Sequence, residues 1–365
     1  MNARIGIIGG GLAGLYAALR LQARGIEDFV LLEAAGRFGG RIETVTAGHD
    51  DARFDLGPTW FWPEIQPELD HQVCELGLER FAQHETGDTL IERSPDIPPT
   101  RTRGYPGAPT AMRLVGGMSA LTEAIQARLA PQRLHGEQRV TRIAAQRDGI
   151  DIHAANPQGR VTTYRVDRVM LALPPRLAVA SIEFSPALPD ALTNAWRETP
   201  TWMAPHAKYL AVYPRAFWRE RGLSGEARSA SGPLAEIHDA ATVKGDAALF
   251  GFIGLPTDLR ARVGEAALLA ACRAQLVRLF GKEAAEPRLE VIKDWAAANL
   301  TATAADRSAT PHHWGAPESA PISGAWRGRL AGIGSEWSTR YPGYLAGAID
   351  AAEAAIGTMF MESAS

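Results

Sequence analysis

A glycine-rich turn close to the N-terminus constrains this chain more than any other feature. Gly9-Gly10-Gly11-Leu12-Ala13-Gly14 follows the apolar run Ile5-Gly6-Ile7-Ile8. It opens residues 12–24, where Leu12, Leu15 and Leu19 recur at helical spacing beside the small Ala13, Ala17 and Ala18, and Gly25 stops the pattern. The order is therefore strand, sharp turn, helix. Gly9 permits the turn, Gly11 lets backbone approach a pyrophosphate, and Gly14 lets the helix pack on the strand. The pyrophosphate would sit on N–H groups at the positive end of the helix. A second apolar run, Phe29-Val30-Leu31-Leu32, ends at Glu33, nineteen residues after Gly14, where an acid is expected on an adenosine ribose. The pieces read as a dinucleotide-binding βαβ unit; the alternative is a tight strand–helix turn with no ligand.

Two further pieces point to which dinucleotide. Arg37-Phe38-Gly39-Gly40-Arg41 comes directly after the βαβ unit, and Gly332-Ile333-Gly334-Ser335-Glu336 precedes a helix-like stretch from Gly343 to Thr358. Both suggest FAD rather than NAD, a cofactor that stays bound and carries the redox chemistry itself. Dinucleotide features at the two ends imply one discontinuous FAD-binding domain, expected over 1–75, 112–188 and 326–365. Residues 76–111 and 189–325 are then expected to build a second, α+β substrate domain. The fold class expected is α/β, with a Rossmann-like, glutathione-reductase-type FAD domain.

Composition narrows the function. A length of 365 residues suits two domains, and a formal net charge of −3 invites neither a nucleic-acid nor a membrane reading. Cys74 and Cys272 have no paired spacing, which argues against a disulfide framework or metal site and suits a reducing cytoplasm. No signal peptide is expected, since the chain enters its first strand at residue 4, and no apolar run reaches the ~18–20 residues a membrane span needs. Basic residues are nearly all Arg; Lys occurs only at 208, 244, 282 and 293.

Along the chain, periodicity predicts helices over 64–81, 119–129 and 264–280, and strands over 137–145, 149–154, 160–166, 169–173, 206–213, 247–255, 288–295 and 330–334. Residues 84–111, polar and carrying five prolines (95, 98, 99, 106 and 109), read as a long loop. Such a loop is expected to be mobile.

At this point the chain resembles the flavin-containing amine oxidase family: monoamine, polyamine and L-amino-acid oxidases. The likeness runs in order through Gly9–Gly14, Glu33, Arg37–Arg41, Asp55-Leu56-Gly57, Gly116-Gly117-Met118, Leu171-Ala172-Leu173-Pro174-Pro175, Lys208, Gly334-Ser335-Glu336 and Pro342-Gly343-Tyr344. The resemblance implies cofactor roles for particular residues. Glu33 would bind the adenosine ribose and Arg41 would lie along the pyrophosphate. Gly57 would present backbone to the flavin ring, Val140 would bond adenine through its backbone, and Glu336 would contact the ribityl or pyrophosphate. Plainer readings stand beside these: a surface ion pair for Arg41, an inward strand position for Val140, a helix-start acid for Glu336.

For catalysis the resemblance implies Lys208 holding a water at flavin N5, Tyr344 as one wall of an aromatic cage, and substrate contacts from Trp60 with its neighbours Phe61 and Trp62. The alternatives are a lysine snorkelling to solvent and a tyrosine packed on the core. An amine would then be oxidised to an imine, with hydride passing to the flavin and oxygen the acceptor, giving hydrogen peroxide. The implied partners are a small-molecule amine and molecular oxygen; a homo-oligomer is compatible with the family.

This sequence departs from the family in three ways. Residues 302–306, Ala-Thr-Ala-Ala-Asp, lack the aromatic expected for the second wall, for which Trp314, His312, His313, Trp60 or Trp62 could substitute. No cysteine lies there either, so FAD is expected to be non-covalent. Only about fifty residues separate Pro63 from Gly117, which truncates the family's helical lobe. Two other functions remain open: a flavin desaturase or dehydrogenase using another acceptor, and a non-catalytic flavoprotein subunit.

Overall fold

A computed structural model describes residues 2–47, 52–308 and 315–361. The chain forms two compact units. The first combines Met1–Ile42, Leu121–Trp202 and Ala298–Ser365; the second combines Glu43–Ala120 and Met203–Ala297.

The first unit is built on a five-stranded parallel sheet, ordered Leu330–Gly332, Arg168–Leu171, Ile5–Ile8, Phe29–Leu32, Leu134–His135. Its central strands are apolar runs because parallel sheets are covered on both faces. Helix Leu12–Ala23 buries Leu12, Leu15, Ala17, Ala18 and Leu21, while Leu19 is half-exposed. Tyr16 and Arg20 instead meet the final helix, Leu345–Met361, where both donate to the Glu353 carboxylate at 2.8 and 2.6 Å. That helix packs closely through Ala346, Ala348, Ala351, Ala352 and Ala355. A meander, Arg139–Gln146, Gly149–Ala155 and Val161–Val166, forms a second sheet with Glu183–Ser185. One core joins the layers, from Ile8, Leu32 and Leu171 to Ile143, Ile152 and Trp196.

The second unit carries a seven-stranded mixed sheet, ordered Leu289–Asp294, Ala207–Tyr213, Ala247–Ile253, Leu234–Asp239, Leu223–Ser229, Asp88–Glu92, Thr100–Arg103. Strand Ala207–Tyr213 is buried throughout, and alternation divides it between two cores. Tyr209, Ala211 and Tyr213 pack with Leu268, Cys272 and Leu276 of helix Glu265–Phe280. Leu210 and Val212 pack with Phe54, Leu56 and Phe250 on the opposite face. Lys208 shares the phase of Leu210 and Val212, so it points to that second face.

Two expectations are corrected. Residues 84–111 are not a single loop: Asp88–Glu92 pairs with Leu223–Ser229 and with Thr100–Arg103. The prolines flank these strands rather than interrupt them. Leu90 enters the core, and Glu92, 1% exposed, accepts from Ser229 at 2.6 Å and from Arg278. The helix expected over 64–81 spans only Pro67–Glu75, because Gly77 takes a left-handed φ of 72° just beyond it. The compact units also depart from the expected domain bounds over 43–75, 112–120, 189–202 and 298–325. Residues 43–75 and 112–120 belong to the second unit, where the Asp55 and Gly57 carbonyls accept from Lys208 and Arg113 donates to the carbonyls of Ala240 and Ala241.

Candidate active site

In the first unit the glycine turn is packed backbone against backbone. A Cβ on Gly14 would lie 1.9 Å from the Gly9 carbonyl oxygen, and one on Gly9, whose φ is +105°, would lie 2.5 Å from that of Ala172. Gly11 is the N-cap of helix Leu12–Ala23, and no side chain caps that end. The first-turn N–H groups are thus left to a ligand, as an anion site requires. The 37–41 loop closes over the turn: Gly39 N–H donates to Gly10 at 2.8 Å, and Arg37 donates to the carbonyls of Gly40 and Ile42. Glu33 sits at the end of its strand, 8% exposed, and its carboxylate accepts from Gly10 N–H at 2.6 Å and Ala35 N–H at 2.7 Å. Glu33, Gly9, Gly11, Gly14 and the 37–41 loop are therefore gathered at one end of the parallel sheet. The bare glycine backbone, uncapped helix end and strand-end acid fit the diphosphate and ribose of FAD.

Arg41 donates to both oxygens of Glu336, at 2.5 and 3.1 Å, and to Ser335 Oγ at 3.1 Å. Glu336 is fully buried on the turn Ser335–Trp337. The ion pair joins two of the expected cofactor residues, with the Arg41 side chain 28% exposed and the Glu336 side chain fully buried. Val140 is 6% exposed and opposite Ala154 in the meander, so its side chain occupies an inward strand position.

Tyr344 precedes the final helix and is 38% exposed, so it is not a core residue. Its ring lies 4.4 Å from that of Trp202, tilted by 47°. Trp202 escaped the sequence reading, because nothing in Pro200-Thr201-Trp202 separates it from the chain's other tryptophans. The segment without the expected aromatic is filled differently. Residues Ala304–Arg307 form a 3₁₀ turn closed by a Thr303–Asp306 capping box. Asp306, 2% exposed, also accepts from Arg176 at 2.5 Å and from Thr201 N–H at 3.0 Å. His312, His313 and Trp314 lie outside the described residues.

In the second unit Lys208 is 3% exposed and does not reach solvent. Its Nζ donates to the Asp55 carbonyl at 3.1 Å, the Gly57 carbonyl at 2.7 Å and Thr59 Oγ1 at 2.8 Å. It also stands 4.3 Å from the centre of the Phe250 ring. Burial depresses its pKa from 10.5 to about 7; the Asp55 charge opposes this and the Arg113 charge adds to it. Trp60 packs on the same Phe250 at 5.3 Å and on His238 at 4.9 Å, and its indole N–H donates to Gln83 at 2.8 Å. Gly57, Trp60 and Lys208 are thus brought together around one aromatic cluster. Trp62, by contrast, uses its backbone N–H on Gln66 at 3.2 Å.

No group of His, Cys, Asp and Glu among the described residues could hold a metal ion. No helix among them is long and apolar enough to cross a membrane.

Fold and site define a flavin-dependent oxidoreductase, and comparison with known proteins agrees. Residues 100–355 match the family model of flavin containing amine oxidoreductases, and residues 7–76 match the NAD(P)-binding Rossmann-like domain. The chain belongs to the flavin containing amine oxidoreductase family and is an FAD-dependent enzyme. It is 23% identical to a probable flavin-containing monoamine oxidase A of Dictyostelium discoideum, over 94% of each chain. It is 29% identical to an L-amino acid dehydrogenase of a Synechocystis strain, over 68% of this chain and 50% of that one. The fold is shared with a putrescine oxidase solved with putrescine (TM-score 0.79, 20% identity, 98% of each chain). It is shared as well with a cyclohexylamine oxidase from Brevibacterium oxydans (TM-score 0.80, 18% identity, 100% of each chain).

Proposed function

We propose that this enzyme oxidises a neutral amine to its imine, with oxygen as the final acceptor and hydrogen peroxide as the second product. FAD, when bound, supplies the hydride acceptor. The chain's own groups orient and tune. Glu33 and the Gly9–Gly14 turn hold the adenosine end, and Arg41 with Glu336 holds the diphosphate and ribityl region. Val140 serves adenine through its backbone. Gly57 presents backbone to the ring, and Lys208 fixes that backbone and sets its charge beside it; its three donors go to the Asp55 and Gly57 carbonyls and Thr59 Oγ1, which leaves none for the water that the resemblance implies. Trp60 and Tyr344 contact the amine. A lysine with a pKa near 7 exchanges a proton at working pH without large cost, which suits a group that meets oxygen chemistry.

The observation carrying this reading is the burial of Lys208 against Gly57, with Trp60 on the same aromatic cluster. A lysine serving only solubility would not be placed there. The test is oxygen uptake during turnover of an amine. One peroxide formed per oxygen consumed is the expected result; turnover only with an artificial acceptor would favour the dehydrogenase reading. The free thiols Cys74 and Cys272 fit a cytoplasmic enzyme.

FAD is held without a covalent link in this reading, so denaturing the protein and removing the precipitate should leave all flavin in solution. Glu33→Ala removes a buried, charge-assisted acceptor worth about 1.5–3 kcal/mol and should weaken FAD retention about ten- to a hundredfold, read by titrating apoprotein with FAD. Retention equal to the parent protein would remove Glu33 from the cofactor site.

Tyr344→Ala should lower amine turnover at least tenfold at matched flavin content. Its half-exposed ring is expected to meet substrate, whereas the cofactor is held by other groups. Unchanged turnover would leave the tyrosine as a packing partner of Trp202.

A further inference from the structure

Met203 holds a left-handed backbone, with φ +62°, and among the described residues Glu137 is the one other non-glycine that does so. Such a conformation is costly for a residue with a Cβ and persists only where the surroundings fix it. It falls directly after Trp202. The segment before Trp202 is pinned as well. Asp306, 2% exposed, accepts the Thr201 N–H at 3.0 Å, and its other oxygen accepts the N–H and hydroxyl of Thr303 at 2.9 and 2.8 Å. Arg176, 8% exposed, donates to Asp306 at 2.5 Å and to the carbonyls of Arg197 and Glu198 at 2.8 and 3.1 Å. Helix Asp190–Glu198 therefore ends on a buried ion pair, which fixes the direction in which the chain leaves it. Residues 302–306 carry no ring of their own; their carboxylate pins a segment that does.

The indole is packed from a second segment. Gly343, at φ +83°, makes room for it: a Cβ there would lie 2.9 Å from Trp202 Cβ and 3.1 Å from its Cε3. The Gly343 N–H is itself tied to the Ser335 carbonyl at 3.0 Å. The ring so held is not a core residue. Trp196, Trp326 and Trp337 of the same unit are 0, 2 and 4% exposed, whereas Trp202 is only half-buried and its neighbour Tyr344 is 38% exposed. A tryptophan that served packing alone would need neither a strained residue after it nor a buried ion pair before it.

We propose that Trp202 is a specificity-determining residue: with Tyr344 it forms a fixed aromatic corner that selects amines carrying an aromatic ring. The proposal rests on the reading of Tyr344 as an amine contact, and it adds to that reading a second residue and a class of substrate.

The physical case is the geometry of the pair. The two rings lie 4.4 Å apart at 47°. Rings inclined in this way offer a planar guest two favourable arrangements at once. A phenyl group stacks offset on one face and meets the other edge-on, and each contact contributes beyond the area it buries. A saturated group gains from area alone. Rigidity adds to the selection, because rings already held in place lose little freedom when the guest arrives. Selection is made on the ring of the guest and not on a second charge: both Asp306 oxygens are taken within the protein, so neither is offered to an ammonium.

Binding without turnover tests this. Cumylamine and tert-butylamine share the amine-bearing carbon and differ by a phenyl group in place of a methyl. Neither carries a hydrogen on that carbon, so neither can pass hydride to the flavin, and titration calorimetry on oxidised holoenzyme reads each dissociation constant at equilibrium. The parent protein should bind cumylamine about tenfold tighter or more. Trp202→Leu keeps apolar bulk and removes the π face. It should lower that preference about fivefold or more, with FAD content and tert-butylamine affinity unchanged. Trp202→Phe restores a ring and should keep most of the preference. Comparison across variants cancels the difference in basicity between the two amines. That pattern supports the proposal. An unchanged preference in Trp202→Leu, an equal loss for both amines, or a loss in Trp202→Phe as large as in Trp202→Leu overturns it. A parent protein that binds cumylamine no better than tert-butylamine overturns it as well. Trp202→Met takes the place of Trp202→Leu if the latter is not recovered with flavin. The expected pattern in a protein whose flavin no amine reduces would support this proposal and count against amine oxidation.

Discussion

Replacing Lys208 with Met should leave fold and FAD content intact while slowing reoxidation by oxygen about ten- to a thousandfold. Met preserves most of the stem volume in the space beside Phe250 and removes only the charge and three donors. A fixed donor or charge in a dry site contributes on that scale, because it needs no reorganisation when charge develops. The reductive half-reaction should change less, and stopped-flow separates the two. The same variant has a second signature in stability. Lys208 titrates near 7 in the folded protein against 10.5 for a free lysine. Below about pH 7 both states carry the proton, and the full cost of burying an ammonium is present. Between about 7 and 10.5 the unfolded chain holds a proton that the folded protein has released, so stability rises with pH across that window. Lys208→Met should abolish that rise, by on the order of a few kcal/mol in total. Unaltered oxygen reactivity together with an unaltered pH slope would make Lys208 a structural residue.

Gly14→Val is expected to be the most damaging single change. A Cβ at this position would sit 1.9 Å from the Gly9 carbonyl oxygen and 3.2 Å from the Ala172 Cβ, so the helix must move away from the sheet. Neither neighbour is the end of a flexible side chain that could step aside. The helix start would move with it, and the N–H groups that meet the diphosphate would lose their aim. The expected outcome is a protein purified without flavin, with a lowered thermal midpoint. A yellow, normally stable Gly14→Val protein would show that the turn does not carry the cofactor.

The cofactor half was legible because its chemistry is written in local patterns. Turn glycines, an apolar strand and an acid at fixed spacing need no knowledge of the rest of the chain, and they appear as expected in the parallel sheet. Strands Leu223–Ser229 and Leu234–Asp239 were missed because neither shows a clean two-residue alternation; a bulge breaks the register of each. The sheet position of Asp88–Glu92 was hidden by the prolines around it, although Thr-Leu-Ile is a strand-like run. Lys208 was visible as the odd residue in an apolar strand, but its neighbours were not: the carbonyls of Asp55 and Gly57 come from a segment some 150 positions earlier. Arg113 and Trp202 gave no local sign at all. Their meaning lies in long-range contacts, which periodicity does not encode.

The central claim is that amines reduce the flavin of this protein. Holoenzyme mixed under anaerobic conditions with a panel of primary amines, polyamines and amino acids tests it directly. The account predicts that absorbance of oxidised flavin near 450 nm bleaches with at least one class of amine and returns when air is admitted. Flavin that stays oxidised with every member of the panel, in protein shown to be fully loaded with FAD, would contradict it.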